Sequence, residues 1–186
     1  MTQDFLTNQF LVAMPSLEDP NFRESVTFIC EHNPQGALGI VINRPMNVVL
    51  GDILKQLSLE AEDGATAATP IFLGGPVQPE RGFVIHEPQG AWEATLKVGE
   101  NIGVTTSRDV LAAIASGGGP RKAFVALGYA GWSPGQLEEE LRSNSWLSAP
   151  ADMRIVFETP VEQRWQAAAK LIGVDLSLLS GDAGHA

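Results

Sequence analysis

His86 is the side chain best suited to move a proton near neutral pH, because an unperturbed imidazole titrates near pH 6.5. It closes the apolar run Gly82 to Ile85, and Glu87 follows it. Glu87 could orient the ring, although adjacent strand residues face opposite ways. Thr105, Thr106 and Ser107 carry hydroxyls farther along the chain. An enzyme of the hydrolase type, using His86 with Thr106 or Ser107, is therefore one reading. Ser107 lies in no nucleophile elbow, however, and a hydrogen-bonded histidine is the default. No residue is assigned as catalytic, and the favoured reading is non-catalytic.

Three glycine- or proline-containing turns could instead hold a ligand. Asn43-Arg44-Pro45 ends the apolar run Ala37 to Ile42. Arg44 is a fixed charge with a planar donor fork suited to carboxylate or phosphate. Asn43 and Pro45 suit a stiff turn, and an acid such as Asp52 is a candidate partner for Arg44. Gly74-Gly75-Pro76 also follows an apolar run and could present backbone N–H groups to an anion. It is neither a Walker A loop nor a dinucleotide fingerprint. The third turn is Gly128-Tyr129-Ala130-Gly131-Trp132, where Tyr129 and Trp132 offer large rigid faces for a flat ligand or a protein partner. Strand ends on one rim gather binding loops. A pocket built from Arg44 and backbone amides, with Tyr129 and Trp132 as walls, is the expectation, and a small anionic molecule or nucleotide is its ligand.

Metal binding has little support. The histidines are His32, His86 and His185, with no Cys/His pair at ligand spacing. No cofactor is implied. Cys30 is the only cysteine, in an apolar run, so an internal disulfide is impossible and a reducing cytosol fits. The first cation is Arg23, so the N-terminus lacks the form of a secretory signal. No apolar run is long enough to span a membrane. The formal net charge is −10, with 12 Lys and Arg scattered among 186 residues. That field repels polyanions, and direct DNA binding is not expected.

The elements that must position these groups are mixed. Phe10–Met14, Ser25–Cys30, Ala37–Ile42, Ile71–Leu73, Gly82–His86, Ala94–Lys97, Ile102–Thr105, Ala123–Leu127 and Met153–Phe157 read as strands. Leu50, Ile53, Leu54 and Leu57 follow helical spacing, and Glu60 to Thr69 reads as a surface loop. Thr106 is the expected cap of a helix stopped at Gly117-Gly118-Gly119. Ser133, Pro134 and Gln136 form a capping-box pattern for a helix over 134–143. Thr159-Pro160-Val161-Glu162 repeats that pattern, and Val161, Trp165, Ala168, Ala169 and Ile172 make the stripe of the helix it opens, ended by Gly173. Trp146 and Trp165 read as core anchors. Strands in hairpin-like runs argue for one α+β domain, with a core over about 8–173 and a frayed tail at 181–186.

The chain resembles the AlgH/YqgE family of bacterial proteins. The likeness is carried by Ala126 to Leu141, Asn8 to Pro15, Gly36 to Pro45, Leu73 to Val77 and Asn144 to Leu147, in that family's order. The resemblance implies a bent, barrel-like mixed sheet flanked by helices. It also implies a label of transcriptional regulator tied to alginate production, with no established reaction. Together these readings lead to a cytoplasmic ligand- or partner-binding protein with an indirect regulatory role.

Overall fold

Glycines and prolines cut the chain into short apolar runs, and ten of them pair into one curled sheet in the computed structural model, which describes residues 5–181. The strands are β1 (Gln9–Ala13), β2 (Val26–Asn33), β3 (Gly36–Val41), β4 (Pro45–Val49), β5 (Pro70–Leu73), β6 (Val77–Glu87), β7 (Thr95–Val98), β8 (Ile102–Thr105), β9 (Lys122–Trp132) and β10 (Trp146–Pro150). The helices are α1 (Leu50–Gln56), α2 (Gly64–Ala67), α3 (Arg108–Ala115), α4 (Gln136–Arg142), α5 (Met153–Phe157), α6 (Arg164–Lys170) and α7 (Leu176–Gly181). The main path runs β10-β1-β2-β3-β9-β6-β8-β7, all antiparallel. The β4–β5 pair attaches through β5, which runs parallel to β9. The α+β class and the bent, half-barrel sheet are as expected.

Both faces of the sheet are buried. Phe28, Ile40, Phe72, Ile85 and Phe124 pack inside the curl against Ile155, Val156 and Ala168 of α5 and α6. Ile71, Val84 and Val125, one residue out of step on the same strands, pack on the other face against Leu50, Leu54 and Leu111 of α1 and α3. A third cluster puts Trp132 and Trp146 over Leu137 of α4.

β9 departs from expectation. The run beginning at Ala123 does not stop at Gly128 but continues to Trp132. Its first part pairs with β5 and β6, and its last part with β3. Gly128 sits at φ +79°, a conformation open to glycine, and the chain bends there without leaving the sheet. Gly75 crosses so close that a Cβ on it would overlap the Tyr129 carbonyl.

Other boundaries also shift. The 153–157 run is helix α5, because the Asp152 carboxylate accepts from Arg154 N at 3.0 Å and caps it. β4 and the short α2, capped by Asp63, were not foreseen. α3 begins after Ser107, not Thr106. α4 begins at Gln136, after Gly135 at φ +79°, so Pro134 lies outside it. Half of the expected box survives, with Ser133 N donating to Gln136 Oε1 at 3.0 Å. A 3-10 turn, Val161–Gln163, precedes α6. Ile172, expected on the buried stripe, is 40 % exposed. The expected frayed tail falls outside the described residues after Gly181.

Candidate functional site

Arg44 stands where the chain leaves β3 and enters β4. Its Nη2 donates to the Arg23 carbonyl at 2.6 Å. Its Nε is buried and has no partner among the described residues. Loss of water and the like charge of Arg23 push the guanidinium pKa down, against weaker opposing pulls from Asp19 and Glu24, and Glu24 pairs with Arg23 at 3.9 Å. Asn43 fixes the turn: Oδ1 accepts from Val26 N at 3.0 Å, and Nδ2 donates to Glu24 O at 2.9 Å. The expected Arg44–Asp52 pair is absent, because Asp52 Oδ2 accepts from Val49 N at 3.1 Å and caps α1. Asn43, Arg44 and Pro45 line a hollow of about 470 Å³ with Arg23, Val161 and Trp165. Glu24 and Glu162 line it as well. Trp165 is held by its indole N–H, which donates to Ala13 O at 2.9 Å.

The other expected wall residues stand elsewhere. Gly74 N donates to Leu127 O at 2.7 Å, and Gly74 O accepts from Val41 N at 2.8 Å, so these groups knit strands together. Gly75 serves the crossing over β9, and Pro76 leads into β6 with its ring exposed. Tyr129 packs edge-on to Phe83, centroids 5.6 Å apart, against the core inside the curl. Gly131 is exposed beside it. Trp132 belongs to the separate cluster under α4, 6 % exposed. Its indole N–H and that of Trp146 each donate to Glu140 Oε1 at 2.9 Å. The three turns therefore do not close on a common cavity: Arg44, Tyr129 and Trp132 occupy different clusters.

His86 is fully buried on β6. Its Nδ1 lies 2.9 Å from Pro88 O and its Nε2 lies 2.7 Å from Thr105 Oγ1. A carbonyl only accepts, so Nδ1 carries the proton, and in the neutral ring Nε2 then accepts from Thr105. Gly103 opposite leaves room for the ring, since a Cβ there would press on His86 Cε1. Burial lowers the His86 pKa, and the ring stays neutral. The histidine–hydroxyl pair is thus His86–Thr105, not one with Thr106 or Ser107. Both side chains are without solvent exposure, and the pair serves the core. Ser107 Oγ donates to Asp109 Oδ1 at 2.5 Å and accepts from Ala94 N at 3.0 Å.

Thr106 lies apart from Arg44, on a second cleft of about 350 Å³ between α1, α3 and the sheet. Ile53, Leu57, Phe83, Val84 and Leu111 form its apolar walls, and Thr106, Arg108 and Glu80 stand at its polar edge. Arg108 was not foreseen, although it adjoins the helical stripe that contains Leu111. Neither was Arg164, 6 % exposed, which donates to Thr159 O at 2.9 Å and Ile42 O at 2.6 Å and lies over Phe72. Its place next to Trp165 on the α6 stripe was the available signal. Among the described residues no group of three or more His, Cys, Asp or Glu could hold a metal. No helix there is long and apolar enough to cross a membrane.

Comparison with known proteins finds the AlgH-like family profile matching residues 10–177. A UPF0301 protein of Nitrosococcus oceani is 56 % identical over 185 residues, covering 100 % of this chain and 99 % of that one. Another, from Thioalkalivibrio sulfidiphilus, is 59 % identical over 97 % of this chain and 96 % of its own. The solution structure of the AlgH protein from Pseudomonas aeruginosa superposes with a TM-score of 0.81 at 49 % identity, covering 100 % of both chains. A crystal structure from Corynebacterium diphtheriae shares the fold, with a TM-score of 0.76 at 20 % identity over 97 % of this chain and 94 % of that one.

Proposed function

The chain belongs to the AlgH-like family, and from the geometry around Arg44 we propose that it is a non-catalytic, cytosolic binding protein for a small anion, with a regulatory role exerted without touching DNA. The observation that carries this is the buried Nε of Arg44, unpartnered among the described residues and facing the added repulsion of Arg23. An anion in the hollow gives that N–H an acceptor and relieves the repulsion. Trp165 lines the same hollow as Arg23 and Arg44, and an indole in such a hollow suits a nucleoside monophosphate. Glu24 and Glu162 in the lining weigh against a polyphosphate.

Equilibrium dialysis against AMP, inorganic phosphate and a panel of small carboxylates tests this reading. Binding should be saturable and weakened tenfold or more by Arg44→Ala, the order for a lost charge-assisted hydrogen bond of about 1.5–3 kcal/mol. Absence of binding across the panel would end it, and so would binding indifferent to Arg44.

A further inference from the structure

Nothing in the reading above uses the cleft beside α3, and the cleft has features of its own. Its volume of about 350 Å³ falls within the usual span of small-molecule sites, about 300–1,000 Å³. Its walls come from three directions: Ile53 on α1 and Leu57 just past its end, Leu111 on α3, Phe83 and Val84 on β6. Leu111 and Val84 belong to a packed core cluster, so those walls are fixed before any ligand arrives.

The polar edge is asymmetric. Arg108 Nη2 donates to Leu57 O at 2.9 Å, a bond that holds the guanidinium at the cleft between the end of α1 and the start of α3. Arg108 has no carboxylate partner among the described residues. The hydroxyl of Thr106 has no partner there either, while its backbone N–H is taken by Ala94 O at 3.0 Å. The α3 terminus adds little positive field, because Asp109 sits in its first turn and accepts from Ser107 Oγ and from Glu93 N at 2.8 Å. The cation available to a ligand is thus Arg108. Glu80 at the same edge opposes a second negative charge.

We infer that this cleft is a second binding site, taking a monoanionic amphiphile whose apolar body lies on Leu111, Val84 and Phe83 and whose single anionic group meets Arg108 and the Thr106 hydroxyl. The site is independent of Arg44, which lines a different hollow.

Two probes that share their rings and differ by one sulfonate test it: 1-anilinonaphthalene-8-sulfonate and the neutral N-phenyl-1-naphthylamine. Fluorescence titration of the full chain should show saturable binding of both, tighter for the sulfonate. Arg108→Gln should weaken the sulfonate about tenfold and leave the neutral probe within twofold. Glu80→Gln should tighten the sulfonate. Leu111→Trp, which fills the cleft, should abolish both. Because that variant can misfold, NMR of the unmutated protein runs alongside, with shifts expected at Thr106, Val84 and Leu111 on adding the sulfonate. Shifts confined to other surfaces, or failure to bind either probe, would overturn the site. Binding of both probes with no response to Arg108→Gln would overturn the anionic requirement. Failure of this site leaves the reading at Arg44 standing, since the two hollows share no lining residue.

Discussion

At Arg44, burial and the like charge of Arg23 lower the pKa against weaker pulls from Asp19 and Glu24, and the unpartnered Nε–H is the group an anion satisfies. At His86 only burial acts to lower the pKa, with a weaker opposing pull from the Pro88 carbonyl. In the neutral ring the proton sits on Nδ1 and Nε2 accepts from the Thr105 hydroxyl. The unfolded chain binds a proton near pH 6.5 and the folded chain only at lower pH. Stability is therefore complete above about pH 6.5 and falls as pH drops through that value, with a slope of at most about 1.4 kcal/mol per pH unit for one proton. Urea denaturation between pH 7.5 and 5 should show this fall, and His86→Gln should flatten it; an equal slope in the variant would contradict the assignment. Glu140 is the other residue with concentrated duty, since one of its oxygens serves two indoles. Glu140→Ala leaves both N–H groups without that acceptor and should cost about 1–3 kcal/mol, read as a shifted denaturation midpoint. Neither duty was legible beforehand. His86 stood out by its ionisation, but its partner Thr105 lies across a strand pair whose register no local pattern encodes.

The element that organises the sheet is β9. It changes partners at Gly128, where Gly75 crosses it. Replacing Gly75 with Ala sets a methyl against the Tyr129 carbonyl and should destabilise by at least about 2 kcal/mol, whereas Gly64→Ala, at a position with open space, should be near neutral. Equal melting temperatures for the two variants would contradict the crossing. A glycine among apolar residues reads as the end of a strand, and here it is a bend within one; only the distant contact with Gly75 distinguishes the two. The amphipathic helices were legible, because α1 and α3 bury Leu50, Leu54, Val110 and Leu111 at helical spacing. Caps were legible to within one or two residues. α5 was not, since Ile155, Val156 and Phe157 favour strands in isolation and the Asp152 cap outweighed that preference.

For the whole molecule, two buried faces explain both what the chain disclosed and what it hid. Strands covered on both sides read as continuous apolar runs, so their existence was plain while the face of each residue was not. Tyr129 and Trp132 looked like neighbours on a lip and stand in separate clusters for that reason. The net charge of −10 acts at this scale too. A gel-shift series at low salt should show no saturable, sequence-specific retention of DNA, and such retention would contradict a regulatory role exerted without DNA contact. Anion binding at Arg44 is tested by an NMR titration of the ¹⁵N-labelled chain with AMP, following the Arg44 Nε–H and the Trp165 indole N–H. Both signals should move together and saturate, and inorganic phosphate should compete. Static signals at Arg44 up to millimolar AMP and millimolar phosphate would contradict it.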